Sequence, residues 1–265
     1  MPGNAAVKST AKVALRQFWP QAIAACLLFI AVLFVPYVVA SVNTVVMGAI
    51  SVWINAGVYL VFCVVVGAPT FLGVLRYFRR AVYGNVDSLG SLFYYFTNKK
   101  RYKNSVWFAF MLAFRLLLVA AITFLPYLIV KILEFLPIKL FSGSVIMQVG
   151  IVRGILFLFG AVFFVVTTAR YYISPMLFVS CEDMHWTEAF YLSKHISKYS
   201  TGPFLVLLVG FVGWILLSVC GFTLIYTAPY MLTAYVVHCR YAFSRYNHNI
   251  EIMKETDFPE YRSDF

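Results

Sequence analysis

The chain has 265 residues, of which 62% are hydrophobic and only 12% charged, with a net charge of +11 and a mean hydropathy of +0.85. Soluble domains carry about 45–50% apolar and about 25% charged residues, so this composition excludes a chain that covers itself with polar surface and makes lipid the expected solvent. The length allows about six spans of roughly 20–25 residues, and no stretch is rich enough in Pro, Gly or Ser to separate domains. The expectation is one all-α, polytopic membrane domain over 1–265, with about six transmembrane helices arranged as three hairpins joined by amphipathic interfacial connectors.

Residues 1–17 carry Lys8, Lys12 and Arg16 and read as a cytosolic N-terminal segment. The apolar run behind them is too long for a signal-peptide core of about 7–15 residues, so helix 1, 18–41, is expected to be an uncleaved span. Helix 2 is expected over 52–83, kinked at Gly67-Ala68-Pro69 because proline lacks a donor and clashes with the preceding turn. In the connector 84–103, Asp87 reads as an N-cap, and Leu89, Leu92, Phe93 and Phe96 have the spacing of one apolar helical face. A basic cluster follows, and a basic amphipathic segment suits the surface of an anionic leaflet.

Helix 3 is expected over 104–130, an outer connector over 131–148 with Glu134 its one acid, and helix 4 over 149–178. Gly150-x-x-x-Gly154 reads as a close-packing motif. The connector 181–202 holds Glu182, Asp183 and Glu188, the first two expected to cap a helix over 184–198 and to pair with nearby Lys or Arg. Helix 5 is expected over 203–222, a turn at Ala228-Pro229-Tyr230, helix 6 to about 246, and a polar cytosolic tail over 247–265.

Lysine and arginine test this topology. All of them fall on one side except Lys131, Lys139 and Arg153, with Arg115 left inside helix 3. Positive loops stay in the cytosol, which puts both termini on the cytosolic side. A repeat accompanies the alternation. Pro-Tyr stands at 36–37, 126–127 and 229–230 on outward helices, and Arg-Tyr at 76–77, 170–171 and 240–241 on inward ones. Phe93-Tyr94 and Arg101-Tyr102 also match Phe190-Tyr191 and Lys198-Tyr199 at a common offset. Tyr and Arg gather at membrane interfaces in any case, so the repeat stands beside a compositional reading.

From Tyr172-x-x-Pro175 onward the pattern is Glu182-Asp183, Glu188-Ala189, Ser193, Phe211-Val212-Gly213-Trp214-x-Leu216-Leu217, Pro229-Tyr230 and Tyr241. This resembles the bacterial integral-membrane family called domain of unknown function 975, best over 169–241 and more weakly before. The resemblance implies a six-helix inner-membrane protein and no known activity, so it transfers no functional residue. Arg115 stands where the family leads one to expect an aromatic, and 131–148 looks like an addition.

No catalytic set is legible. The spans hold no Asp or Glu, which argues against coupling through intramembrane carboxylates. The serines have no partnered histidine and acid, and no glycine elbow, phosphate loop or dinucleotide fingerprint occurs. His185 and His195 are ten apart and lack helical ligand spacing, and His238 reads as an interfacial hydrogen-bonder. The five cysteines form no C-x-x-C pair and read as buried apolar residues. No cofactor, no metal and no nucleic acid is expected.

What remains is basic. Arg115, about 17 Å into helix 3, is costly in lipid and must face protein, water or an anion. Arg115, Arg153 and Arg170 are candidate contacts for an anionic headgroup or amphiphile. Arg76, Arg79, Arg80, Lys99, Lys100, Arg101 and Lys103 form a candidate interfacial cluster. The expected role is a non-enzymatic scaffold or accessory subunit that binds membrane lipids, through anionic headgroups, or membrane partners. The alternative is a transporter or flippase of an anionic lipid-like or amphiphilic substrate.

Overall fold

The computed structural model describes residues 3–47, 49–135, 143–181, 184–218 and 223–257. Its regular elements are helical, with no strand among the described residues. Helix α1 spans Asn4–Met47, α2 Ala49–Phe62, α3 Ala68–Val82, α4 Lys99–Phe135, α5 Gly143–Thr168 and α6 Ser174–Ser180. Then follow α7 Trp186–Val209, α8 Val212–Ser218 and α9 Leu224–Asp257. Four stretches are long and apolar enough to cross a membrane: Asn4–Asn43, Val52–Val82, Lys99–Ile132 and Gly150–Ser180. The pair α7 and α8, bent by 45°, makes up to five. Six spans as three hairpins are therefore not reproduced by length and apolarity, because α9 falls outside this set.

The segment expected as an N-terminal tail is helical. Val7, Ala11 and Leu15, spaced four apart on one face, are buried, while Lys12 and Arg16 stay exposed. The helix breaks at Phe18 (φ −134°, ψ 27°), two residues before Pro20, which cannot bond back to Arg16. Phe18 packs edge-on against Phe78 of α3 at 6.0 Å. Lys8 reaches across to α7, its Nζ donating to the Gly210 carbonyl at 3.3 Å where α7 ends. A cation on the last carbonyls of a helix complements its dipole.

The kink expected at Gly67-Ala68-Pro69 takes the form of a π-helical turn, Cys63–Gly67, between α2 and α3. Pro69 has no N–H to give to Val65 four residues back. The freed Val65 carbonyl accepts instead from the Tyr102 hydroxyl at 3.1 Å. The extra turn is thus pinned to the start of α4.

Several boundaries move. The expected connector helix 184–198 and the first part of helix 5 are one helix, α7, which runs through Pro203 and stops at Gly210. Ala228-Pro229-Tyr230 lies inside α9 rather than in a turn, and α9 continues to Asp257, so much of the expected tail is helical. The ends of 131–148 belong to α4 and α5, and 136–142 lie outside the described residues. The Glu182-Asp183 pair also lies outside them.

Burial is uneven along the chain. The core gathers from α1, α3, α6, α7, α9 and the first turns of α4. By contrast only 6% of the apolar window of α4, and 6% of that of α5, is buried in protein. Helix α5 packs chiefly on α4, which also packs on α3 and α7. Leu117, Ile122, Ile155, Leu158 and Phe159 are each at least 60% exposed, a surface that water would penalise at about 25 cal/mol per Å². The close approach between the two helices is at Gly160, where an added Cβ would lie 3.0 Å from the Thr123 carbonyl oxygen. Gly150 and Gly154 meet nothing within 4 Å, so the expected close-packing motif packs against no described residue.

Candidate functional site

The basic cluster becomes a cleft because of one glycine. Residues 89–96 fold as a 3₁₀ helix, Leu89–Phe96, kinked at Phe93 (φ −93°, ψ 15°), rather than as an α-turn. Leu92 and Tyr95 are the buried pair, and Phe93 and Phe96, expected on the apolar face, are exposed. This helix lies directly on α3 at Gly73, where a Cβ would sit 1.8 Å from the Leu92 carbonyl oxygen. One turn further along α3, Arg76 stacks its guanidinium on Tyr94, 3.3 Å from the ring centre.

Asp87 does not cap this helix. Ser88 occupies the N-cap position without a side-chain bond, and Asp87 pairs through Oδ2 with Arg80 Nη1 at 2.7 Å. Arg79 Nη1 donates to the carbonyls of Val179 and Ser180 at 3.3 and 3.4 Å, closing the C-terminal end of α6. Two of the seven cluster cations thus have structural duties that tie α3 to its neighbours.

The others meet at the start of α4. That helix begins at Lys99, five residues before the expected start, so Lys99, Lys100, Arg101 and Lys103 form its first turns rather than a loop. Asn98 caps it, its Oδ1 accepting from the Lys100 N–H at 2.9 Å. Arg101 stacks on Tyr94 at 4.4 Å, so one ring carries two guanidiniums. Around them opens a cleft of about 230 Å³. Arg76, Lys100, Arg101, Asn98 and Asn104 supply its polar wall, and Phe178, Val179 and Met184 its apolar one. Arg76, Tyr94, Tyr95 and Arg101 are also held by the surrounding chain, so neither arginine is a loose surface charge. Lys99 and Lys103 are exposed and do not line the cleft.

The sequence-predicted trio of Arg115, Arg153 and Arg170 does not form one site. Arg153 and Arg170 lie 17 residues apart along one helical run, about 25 Å at 1.5 Å per residue. Arg115 lies over the Phe190 ring at 4.2 Å and within 5.9 Å of the Tyr171 ring. Phe190 stacks on Phe108 (5.1 Å, 8°), Phe108 on Phe178 (4.6 Å, 21°), and Phe178 on Tyr95 (6.1 Å, 23°). The charge thus meets aromatic faces. Asn55 bonds to the Ala40 carbonyl and to Asn43 beside an apolar groove of about 710 Å³ between α1 and α2. Arg170 is exposed, and its carbonyl accepts from Ser193 Oγ at 3.0 Å. Arg153 is partly buried on α5.

The remaining polar candidates separate cleanly. His238, expected at the interface, is 1% exposed and meets the Tyr172 hydroxyl through Nε2 at 2.9 Å. That hydroxyl also donates to Ser200 Oγ at 2.9 Å, and Tyr172 stacks on Phe204 at 3.8 Å. Four cysteines are free: Cys26 and Cys239 are buried, Cys63 is partly buried and Cys181 is exposed; Cys220 lies outside the described residues. Among the described residues no group of three or more His, Cys, Asp or Glu could hold a metal ion.

Sequence reasoning missed Tyr94 as the ring that meets two arginines, and Asn98 and Asn104 beside them. The signal was present: an asparagine followed by four cations and no acid is a helix start that contradicts its own dipole.

Long apolar helices exposed to their surroundings, packed at one end into a core with a basic cleft, define a multi-helix protein of membrane type. The chain belongs to the family described as protein of unknown function DUF975, whose model matches residues 1–244. No curated protein and no solved structure matches it.

Proposed function

We propose that this is a non-enzymatic multi-pass membrane protein that serves as a scaffold or accessory subunit, engaging anionic membrane lipid, and through it membrane partners, by its basic end. The observation that carries this reading is the cluster itself. Arg76, Lys100 and Arg101 converge on one cleft, with Lys99 and Lys103 exposed beside it, at the foot of helices whose sides are apolar. Cations in that position face anionic headgroups. The topology proposed is six spans with both termini on the cytosolic face of a bacterial cytoplasmic membrane. The sixth span would be the first part of α9, which carries no Asp, Glu, Lys or Arg from Leu224 to Cys239, about 24 Å of helix. Five spans would put the termini on opposite faces, so reporter fusions at each end decide the point. Opposite faces would refute the six-span arrangement.

Transport of an anionic amphiphile past Arg115 needs a continuous polar groove that this residue lines. Arg115 lies against Phe190, and it lines neither the basic cleft nor the α1–α2 groove. The scaffold reading is therefore the one adopted. Its test is reconstitution of the full chain into lipid discs of phosphatidylcholine with or without phosphatidylglycerol, followed by native mass spectrometry of the retained lipid. Enrichment of phosphatidylglycerol over its share of the disc is expected. Retention in simple proportion to supply would overturn lipid engagement.

A further inference from the structure

We propose that the Tyr77 hydroxyl, the Asp87 carboxylate and the Ser91 hydroxyl hold one internal water between α3 and the 3₁₀ helix. This water fastens to α3 the connector on which Tyr94 stands, and it is independent of the lipid reading above.

A hydroxyl buried without a partner is costly, so buried polar groups are normally hydrogen-bonded. Buried hydroxyls elsewhere in the core follow this rule. Ser193 donates to the Arg170 carbonyl, Ser200 to that of Ile196 and Thr233 to that of Pro229. Among the described residues three buried side-chain oxygens depart from it: Tyr77 Oη, Asp87 Oδ2 and Ser91 Oγ make no hydrogen bond within the protein. Tyr77 is 0% exposed. Asp87 Oδ2 lies 2.7 Å from Arg80 Nη1 as an ion pair without hydrogen-bond alignment, and a carboxylate oxygen has further acceptor sites to fill.

The three oxygens belong to one seam. Gly73, Tyr77 and Arg80 fall at i, i+4 and i+7 on a single face of α3. The connector runs back along that face, with Asp87 on Arg80 and the Leu92 carbonyl against Gly73. Tyr77 stands between these two fixed contacts on α3, and Ser91, next to Leu92, stands between them on the connector. The Tyr77 hydroxyl is within electrostatic reach of the Asp87 carboxylate and makes no hydrogen bond to it. An internal water forms about three hydrogen bonds to groups that otherwise lack partners. Here Tyr77 donates to the water oxygen, and the two water hydrogens go to Asp87 Oδ2 and Ser91 Oγ. Arg80 already balances the Asp87 charge, so a neutral molecule fits the seam better than a metal cation.

The sign of one substitution tests the site. Removing a hydroxyl that has no partner relieves a desolvation cost, whereas removing one that holds a water leaves the other groups unpaired. In the full chain in phosphatidylcholine discs, Tyr77→Phe is expected to speed hydrogen exchange over residues 89–96 by about fivefold. Exchange no faster than wild type overturns the site. Ser91→Ala is expected to act in the same direction. Y77F/S91A should stay within about twofold of the faster single variant, because either change releases the same water. An effect equal to the product of the two singles means separate partners and overturns the shared water. A density map of the wild-type protein in the same discs separates a bridge from a direct bond. One peak at about 2.5–3.0 Å from all three oxygens is expected. A Tyr77 hydroxyl bonded directly to Ser91 or Asp87, with no peak between them, overturns the proposal. So does slower exchange in sodium chloride than in choline chloride that Tyr77→Phe abolishes, since it would assign the site to a sodium ion.

Discussion

Gly73 shows how much of the cleft rests on a single missing side chain. Its absent Cβ is what lets the Leu92 backbone lie against α3 and sets Tyr94 over Arg76. Gly73→Ala puts a methyl 1.8 Å from a carbonyl oxygen, and backbone cannot yield as a flexible side chain does. Overpacking of a close contact costs about 1–3 kcal/mol. The expected result is a loss near the top of that range in thermal or denaturant unfolding, together with lost retention of anionic lipid. Arg115 makes the opposite case. Its guanidinium lies on Phe190, away from the cleft, and a desolvated cation–π contact is worth about 2 kcal/mol. Arg115→Met should therefore lower stability by about 1–2 kcal/mol and leave lipid retention unchanged. A loss of phosphatidylglycerol retention in this variant would return Arg115 to the binding site.

At the scale of elements, what was legible in the sequence followed from periodicity and from proline. The long apolar runs gave helices, and Pro69 gave a break. Proline says that a helix is interrupted but not how, and the π-turn at Cys63–Gly67 depends on Tyr102, far away in sequence, to take up the Val65 carbonyl. Tyr102→Phe leaves that carbonyl without its partner. A cost of about 1–3 kcal/mol is expected, with hydrogen exchange rising first at the junction of α2 and α3. The 3₁₀ helix was hidden for a related reason. Leu89, Leu92, Phe93 and Phe96 satisfy an α-helical period, and only close packing at Gly73 selects the tighter turn that buries Leu92 and Tyr95. The repeated dipeptides do not share one environment. Tyr94 carries two guanidiniums, whereas its counterpart Tyr191 is 68% exposed on the continuous helix α7.

Across the whole molecule, composition alone pointed to lipid, and the exposed apolar flanks of α4 and α5 agree with it. The packed core was not legible, because it is made by the same apolar residue types as the lipid-facing flanks. Only packing in space separates Phe108, buried between two rings, from Phe110, two residues on and on the other side of the helix, which is 46% exposed. The separation has a mechanical consequence. The α4–α5 pair packs mainly on itself beyond its first turns, so it can tilt to match the hydrocarbon thickness around it, at a cost of a fraction of a kcal/mol per Å of mismatch, without carrying the cleft along. Reconstitution into bilayers of short-chain and long-chain phosphatidylcholine should change hydrogen exchange in α4 beyond Arg115 and in α5, while Arg76, Tyr94 and Arg101 keep their protection. A thickness-dependent change at the cleft would mean that the hairpin acts as a lever on the core, not as an outrigger that absorbs differences between membranes.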